Sequence, residues 1–157
     1  LYGVSFPGHF LVKLRVSRGQ LVLDPFAAGE PQSQATLQKR LEQAAPRGEP
    51  RPIDLDRYLA PATPRQIVLR MLRNLKAIYL EKNASERALG VLNRLVLVLP
   101  ESAEELRDRG LVFERLEAFR AALSDLENYL RRRPDAPDTL EIHAKAVELR
   151  QRCARLN

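Results

Sequence analysis

His9 and Asp24 are the two residues whose types and spacing could do acid–base chemistry. They flank a segment that reads as two short strands, Phe10 to Val16 and Leu21 to Leu23, joined by the turn-forming Ser17-Arg-Gly-Gln20. Side chains alternate between the faces of a strand. In a hairpin with a two- or four-residue turn, directly paired positions sum to an odd number, and residues whose own sum is odd share a face. Nine and twenty-four sum to thirty-three, so His9 and Asp24 are expected on one face, close enough for a direct or water-bridged hydrogen bond. A carboxylate beside an imidazole fixes its tautomer, and the imidazole can then take the proton of a nucleophile such as a thiol. The plainer alternative is a structural hydrogen bond at His9 and a turn cap at Asp24, which precedes Pro25. The one cysteine, Cys153, lies at the opposite end of the sequence and reads as a buried structural residue rather than the missing thiol.

The elements around the pair are of two kinds. Leu1 to Phe6 looks like a further strand, and Asp24-Pro25 closes the last one. Ser33 to Ala45 forms a short one-sided helix through Leu37 and Leu41. Pro46-Arg-Gly-Glu-Pro50 and Pro52 read as a linker, and Asp54 to Leu59 as one helical turn carrying Leu55, Tyr58 and Leu59. A lone hairpin is marginal in water. The front therefore reads as the tail of a longer protein, cut inside a β-containing domain; the plainer alternative is a small sheet packed on the helices. Its strands should dock on the apolar residues of the connector or pair with strands from elsewhere. Phe10 to Val16 is the expected exposed edge.

From Thr63 onward everything is helical. Leu72 and Leu106, Tyr79 and Phe113, Ala88 and Ala122, Leu89 and Leu123, Leu92 and Leu126, and Pro100 and Pro134 each lie 34 apart. An aromatic, a small residue and a closing proline at that period are the signature of tetratricopeptide repeats. The aromatic fills the space between paired helices, alanine lets them approach, and proline ends the second one. Gly110 fits a further small position, repeated by Ala144, and Lys76 departs from it. The first helix should run to about Lys82 with Ile67, Met71, Leu75, Ile78 and Tyr79 on one stripe, capped by Thr63 with Pro64 behind it. Ser85 to Leu99 is its partner, Ser102 to Glu114 and Glu117 to Arg133 form a second pair, and Leu140 to Leu156 is a capping half-repeat. Tyr79 and Phe113 are expected to be buried at equivalent points. The chain thus divides into strands over 1–30, a connector over 31–62 and repeats over 63–157.

Composition excludes several classes. Hydrophobic content of 45% and charged content of 29% suit an ordinary globular chain able to bury a core. The longest uncharged apolar run, Leu95 to Pro100, is far too short to cross a bilayer, and Leu1 to Pro7 lacks the basic leader and cleavage site of a signal peptide. One cysteine rules out an internal disulfide framework and gives no metal pattern, so no cofactor is expected and a reducing, cytoplasmic setting is the simplest. The net charge of +6 would suit an acidic partner. Arginine is spread through the helices rather than gathered with aromatics, which argues against a nucleic-acid face even at Arg131, Arg132, Arg133, Arg150, Arg152 and Arg155.

The segments Gly3-Val-Ser-Phe-Pro-Gly-His-Phe-Leu-Val-Lys13, Leu21-Val-Leu-Asp-Pro-Phe26, Arg70-Met-Leu-Arg-Asn-Leu-Lys-Ala-Ile-Tyr79 and Arg107-Asp-Arg-Gly-Leu-Val-Phe113 resemble the SirB-type family over nearly the whole chain. Its members join a transglutaminase-like module to tetratricopeptide repeats. The resemblance implies a mainly α fold, helical hairpins behind a short β-hairpin that belongs to a transglutaminase-like (α+β) domain. It also implies that His9 would be the base and Asp24 its orienter in a papain-like triad whose nucleophile this chain lacks, so that the chain by itself is catalytically silent. The expected function is a protein–protein interaction scaffold or regulator. The rival is the C-terminal part of a cysteine-dependent acyl-transferase or protease-like hydrolase. Repeat spacing places Arg70, Arg73, Arg107 and Lys145 on the concave side, where they could grip a protein or acidic peptide, or equally stay solvated or pair with neighbouring Glu.

Overall fold

The computed structural model describes residues 1–17, 19–44 and 53–155. The proline-rich linker at 46–52, and Arg18, Ala45 and Leu156 at the margins of expected elements, lie outside the described residues. The chain divides into two compact units, Leu1–Arg70 and Met71–Asn157.

In the first unit, β1 (Tyr2–Phe6), β2 (His9–Val16), β3 (Gly19–Asp24) and β4 (Glu30–Pro31) form one antiparallel sheet in sequential order. Pro7 and Gly8 make the first turn, with Phe6 opposite His9. Gly8 has φ +68°, which glycine adopts freely and which suits the second corner of a type II turn after proline. Val16 pairs with Gly19, so the register sums to an odd number. One face carries Val4, Phe6, Leu11 and Val22. These pack with Leu37 and Leu41 of α1 (Gln34–Ala44), with Ile53 and with Leu59 into one buried cluster, flanked by Leu55 and Tyr58 of α2 (Leu55–Tyr58). The connector residues therefore supply the layer that covers the sheet. One expectation fails. Phe10–Val16 is not an edge strand, because β1 pairs along one side of it and β3 along the other. The first strand takes the edge instead, because the Pro7-Gly8 turn folds it back onto β2. Pro61 bridges to Val4 and the Ala62 N–H donates to the Gly3 carbonyl at 2.8 Å, covering part of that edge.

The repeat helices are α3 (Pro64–Glu81), α4 (Ser85–Val98), α5 (Ala103–Arg115), α6 (Phe119–Arg132) and α7 (Thr139–Arg155). Thr63 caps α3 reciprocally with Gln66: the Gln66 N–H donates to Thr63 Oγ1 at 3.2 Å, and the Thr63 N–H to Gln66 Oε1 at 2.7 Å. The 34-residue period is written in the backbone of the second unit. Asn83 (φ 52°) and Glu117 (φ 58°) are both left-handed. The amides that follow, of Ala84 and Ala118, donate to the carbonyls of Tyr79 and Phe113 at 2.9 Å each. A left-handed residue ends one helix and launches the next identically in both repeats. Ala103, Ala122, Leu126, Tyr129, Ile142 and Leu149 bury a common core across α5, α6 and α7, with Phe113 packed against it. A methyl placed on Gly110 would come within 2.7 Å of Leu126 Cδ2, so the close approach of α5 and α6 demands glycine there.

Two expectations about α3 and its counterpart change. Met71, Leu75 and Ile78 are exposed, and Ile67 is half-buried. The half-buried side of the helix in the second unit carries Leu72, Lys76, Tyr79 and Leu80. Lys76 sets this phase: its ammonium lies 2.8 Å from both Glu105 Oε2 and Asp108 Oδ2 of α5. Burial would lower its pKa, but the two carboxylates outweigh that and raise it. This is why lysine occupies a position that is small in the next repeats. Tyr79 and Phe113 are correspondingly half-buried rather than enclosed. Cys153 on α7 is likewise half-buried, not buried as expected.

Candidate functional site

His9 opens β2 directly after the Pro7-Gly8 turn, and Asp24 closes β3. Asp24 lies opposite Leu11 in the continued register, so His9 is its diagonal neighbour on the same face. The imidazole Nε2 stands 2.7 Å from Asp24 Oδ2, although the carboxylate oxygen sits off the line of a well-directed N–H bond, so the two groups are in close polar contact without an aligned hydrogen bond. The His9 side chain is one-third exposed, at 33%, whereas Asp24 is 1% exposed. Asp24 therefore depends wholly on local partners. Its Oδ1 accepts the Phe26 N–H at 3.0 Å, capping the short 3₁₀ turn Pro25–Ala27. Its Oδ2 also accepts from Arg40 Nη1 of α1 at 3.2 Å. Burial alone would raise the Asp24 pKa, but His9, Arg40 and the Phe26 amide together hold it below the usual carboxylate range. The Phe26 ring meets His9 edge-on, with centroids 5.6 Å apart.

With Nε2 engaged by the carboxylate, Nδ1 is the nitrogen left for proton transfer. The arrangement can therefore orient a base, and it can equally clamp β2, β3 and α1 together through one buried charge. A pH test follows from the sign of the shift. A carboxylate whose folded pKa is depressed stabilises the fold above its unfolded value, about 3.9, and loses that contribution as pH falls through the folded value. The hydrogen-exchange protection factors of Leu11 and Val22, taken against the intrinsic rate at each pH, should fall below about pH 4 in the parent chain. In Asp24→Asn those protection factors should be lower already at pH 7 and change less between pH 5 and pH 2. An Asp24→Asn profile parallel to the parent's would show that the buried charge does not hold the sheet.

The predicted partner-binding cations are all engaged within the chain. Arg70 donates through Nη1 to the Phe6 carbonyl at 2.9 Å and to Ser5 Oγ at 3.4 Å, tying the start of α3 to β1. Arg73 Nε lies 3.3 Å from Glu105, and Arg107 reaches Asp108 at 2.9 Å and Asp138 at 2.8 Å. Arg73, Glu105, Lys76, Asp108, Arg107 and Asp138 thus form a continuous ionic chain across α3, α5 and the start of α7, and Tyr129 of α6 adds its hydroxyl to Asp138. Burial works against the Arg107 charge, but Asp108 and Asp138 more than offset it and keep the guanidinium firmly protonated. Lys145 pairs separately with Glu114 at 3.2 Å. Sequence reasoning found His9 and Asp24 and missed Arg40. The available signal was its place on the inward stripe of α1, three residues after Leu37 and beside Leu41. Buried Glu105 and Asp125 were missed as well, since carboxylates on helices read as solvated by default. Among the described residues there is no cluster of three or more metal-ligating side chains, and no helix is long and apolar enough to cross a membrane.

Comparison with known proteins divides the chain the same way. Residues 1–73 match the transglutaminase-like superfamily and residues 75–146 the tetratricopeptide repeat. A UPF0162 protein of Xylella fastidiosa (strain Temecula1) is 38% identical over 149 residues, covering 95% of this chain and 53% of that protein. Protein SirB1 of Salmonella typhimurium and UPF0162 protein YchA of Escherichia coli K12 are each 31% identical over 147 residues, covering 92% of this chain and 53% of theirs. The chain spans about half the length of these curated relatives.

Proposed function

The chain carries the SirB-type arrangement, a transglutaminase-like segment followed by tetratricopeptide repeats, and on that premise we propose that it is a cytoplasmic protein–protein interaction scaffold with a regulatory role. The single observation that carries this reading is the stacked repeat itself: α5, α6 and α7 share one core, and the 34-residue period recurs down to the left-handed turns. Such helices present a concave side through the first helix of each pair. Arg73, Arg107 and Lys145 are the binding cations, with Arg70 at the sheet end. Arg73 keeps 55% of its side chain exposed while paired with Glu105, so a partner carboxylate can exchange with that residue without an undue desolvation cost. The partner is a protein bearing an acidic segment. In fluorescence anisotropy, an Asp/Glu-rich peptide should bind more tightly than its Lys-rich counterpart and lose affinity as salt rises. Lys145→Glu should weaken it about 3- to 10-fold, an effect of roughly 1 kcal/mol. Equal binding of both peptides removes the acidic partner.

A second reading is favoured by the 2.7 Å approach of His9 to Asp24. In it the pair serves a cysteine-dependent acyl-transferase or hydrolase whose nucleophile is supplied from outside this chain, His9 accepting the thiol proton and Asp24 orienting it. The first reading treats the pair as an inactive remnant. Arg40 on the same carboxylate oxygen supports the remnant, because it already occupies the oxygen that would orient His9. In a longer protein that joins this chain to a preceding helix bearing a cysteine, His9→Ala should leave labelling by a thiol-directed electrophile unchanged. Loss of labelling would establish the enzymatic reading instead.

A further inference from the structure

The inner face of the sheet has two ends. His9 and Asp24 occupy one, and a cavity of about 250 Å³ lies at the other, lined by Tyr2, Lys13, Arg15, Gln20 and Pro61. The strand register makes this grouping a built feature. Tyr2 pairs with Lys13 across β1 and β2, Arg15 pairs with Gln20 across β2 and β3, and Lys13 and Arg15 are two apart on one strand. All four side chains therefore project from one face. Pro61 is held as the wall by its bridge to Val4 and by the Ala62 amide on Gly3.

The chemistry of this lining is one-sided. A phenol, an ammonium, a guanidinium and a carboxamide all donate hydrogen bonds, and no acidic residue lines the cavity. Among the described residues neither Lys13 nor Arg15 pairs with a carboxylate; Lys13 makes only a long contact, 3.4 Å, to the Leu59 carbonyl. Elsewhere in the chain Arg40, Arg73, Lys76, Arg107, Arg109 and Lys145 each meet a carboxylate. Two neighbouring like charges without a counter-ion, in a walled concavity rimmed by donors, create a local field that favours an anion. Arginine grips an oxyanion through its planar fork and lysine as a point charge, while the Tyr2 ring and Pro61 offer apolar walls to a short organic body.

We propose that this cavity binds a small molecule bearing one oxyanion group, a carboxylate or a phosphomonoester, held between Lys13 and Arg15 with Tyr2 and Gln20 as further donors. The site is independent of the concave repeat surface and of the His9–Asp24 pair. The test is an NMR titration of the whole chain with inorganic phosphate and, separately, with succinate, at ionic strength held constant with sodium chloride. Saturable shifts centred on the Lys13, Arg15 and Gln20 amides are expected, and the tighter of the two anions identifies the headgroup. Arg15 and Gln20 are exposed, so their replacement should leave the fold intact. Arg15→Gln should weaken binding about ten-fold, and Gln20→Glu, which puts a negative charge in the cavity, should abolish it. Shifts spread equally over Arg131 and Arg150, or an affinity unchanged in Arg15→Gln, would overturn the proposal.

Discussion

Phe6→Ala should strongly destabilise the sheet unit. Phe6 has no exposed surface and sits among Val4, Leu11, Leu37 and Leu41, so alanine leaves a cavity ringed by side chains that already pack on one another. Deleting a buried phenylalanine costs about 3–5 kcal/mol. The unit spans Leu1–Arg70, and folded chains of that size hold a net stability of roughly 4–10 kcal/mol. The substitution thus removes a third or more of it. Hydrogen-exchange protection at Leu11 and Val22 should fall by about a hundred-fold or more, with the amides of α5 and α6 unchanged. A loss below about 1 kcal/mol would mean that the connector helices do not cover the strands as described.

Arg109→Met should be as damaging in the repeat unit, for an electrostatic reason. Asp125 of α6 is 5% exposed, and Arg109 of α5 holds it with both arms, Nε to Oδ2 at 2.6 Å and Nη2 to Oδ1 at 2.8 Å. The guanidinium also lies 5.7 Å from the Phe113 ring centre, so it closes the same region that the aromatic fills. Removing one member of a buried pair strands the other charge at a cost of about 3–5 kcal/mol. Urea denaturation followed by far-UV circular dichroism should show that loss in Arg109→Met. The double variant Arg109→Met, Asp125→Leu should recover most of it. If the double variant is no more stable than the single one, the cost does not come from an unpaired carboxylate.

How much of this was legible follows from which forces act locally. The 34-residue period announced the helical pairs because Ala88, Ala122, Leu92 and Leu126 must be small or apolar for helices to approach, and each is fully buried. Strand parity placed His9 beside Asp24 because alternation is a property of the backbone. The phase of α3 was not legible. Its apolar stripe through Met71, Leu75 and Ile78 is real in the sequence, but the ion pairs of Lys76 with α5, a long-range effect, turn another side inward. Strand order failed for a similar reason, since whether β2 is an edge depends on Leu1 to Phe6 folding back through Pro7-Gly8. Arg40 and Glu105 escaped because a charged residue on a helix announces its partner only when another element brings one.

The proposed interaction function stands or falls on where an acidic peptide sits. Amide chemical-shift mapping on the whole chain, titrated with an Asp/Glu-rich peptide, tests it most directly. The expected footprint covers Arg73, Arg107 and Lys145 on α3, α5 and α7, saturates with the anisotropy isotherm and shrinks in Lys145→Glu. Shifts confined to the arginine-rich ends of α6 and α7, around Arg131 and Arg152, or shifts that never saturate, would contradict a concave peptide-binding surface.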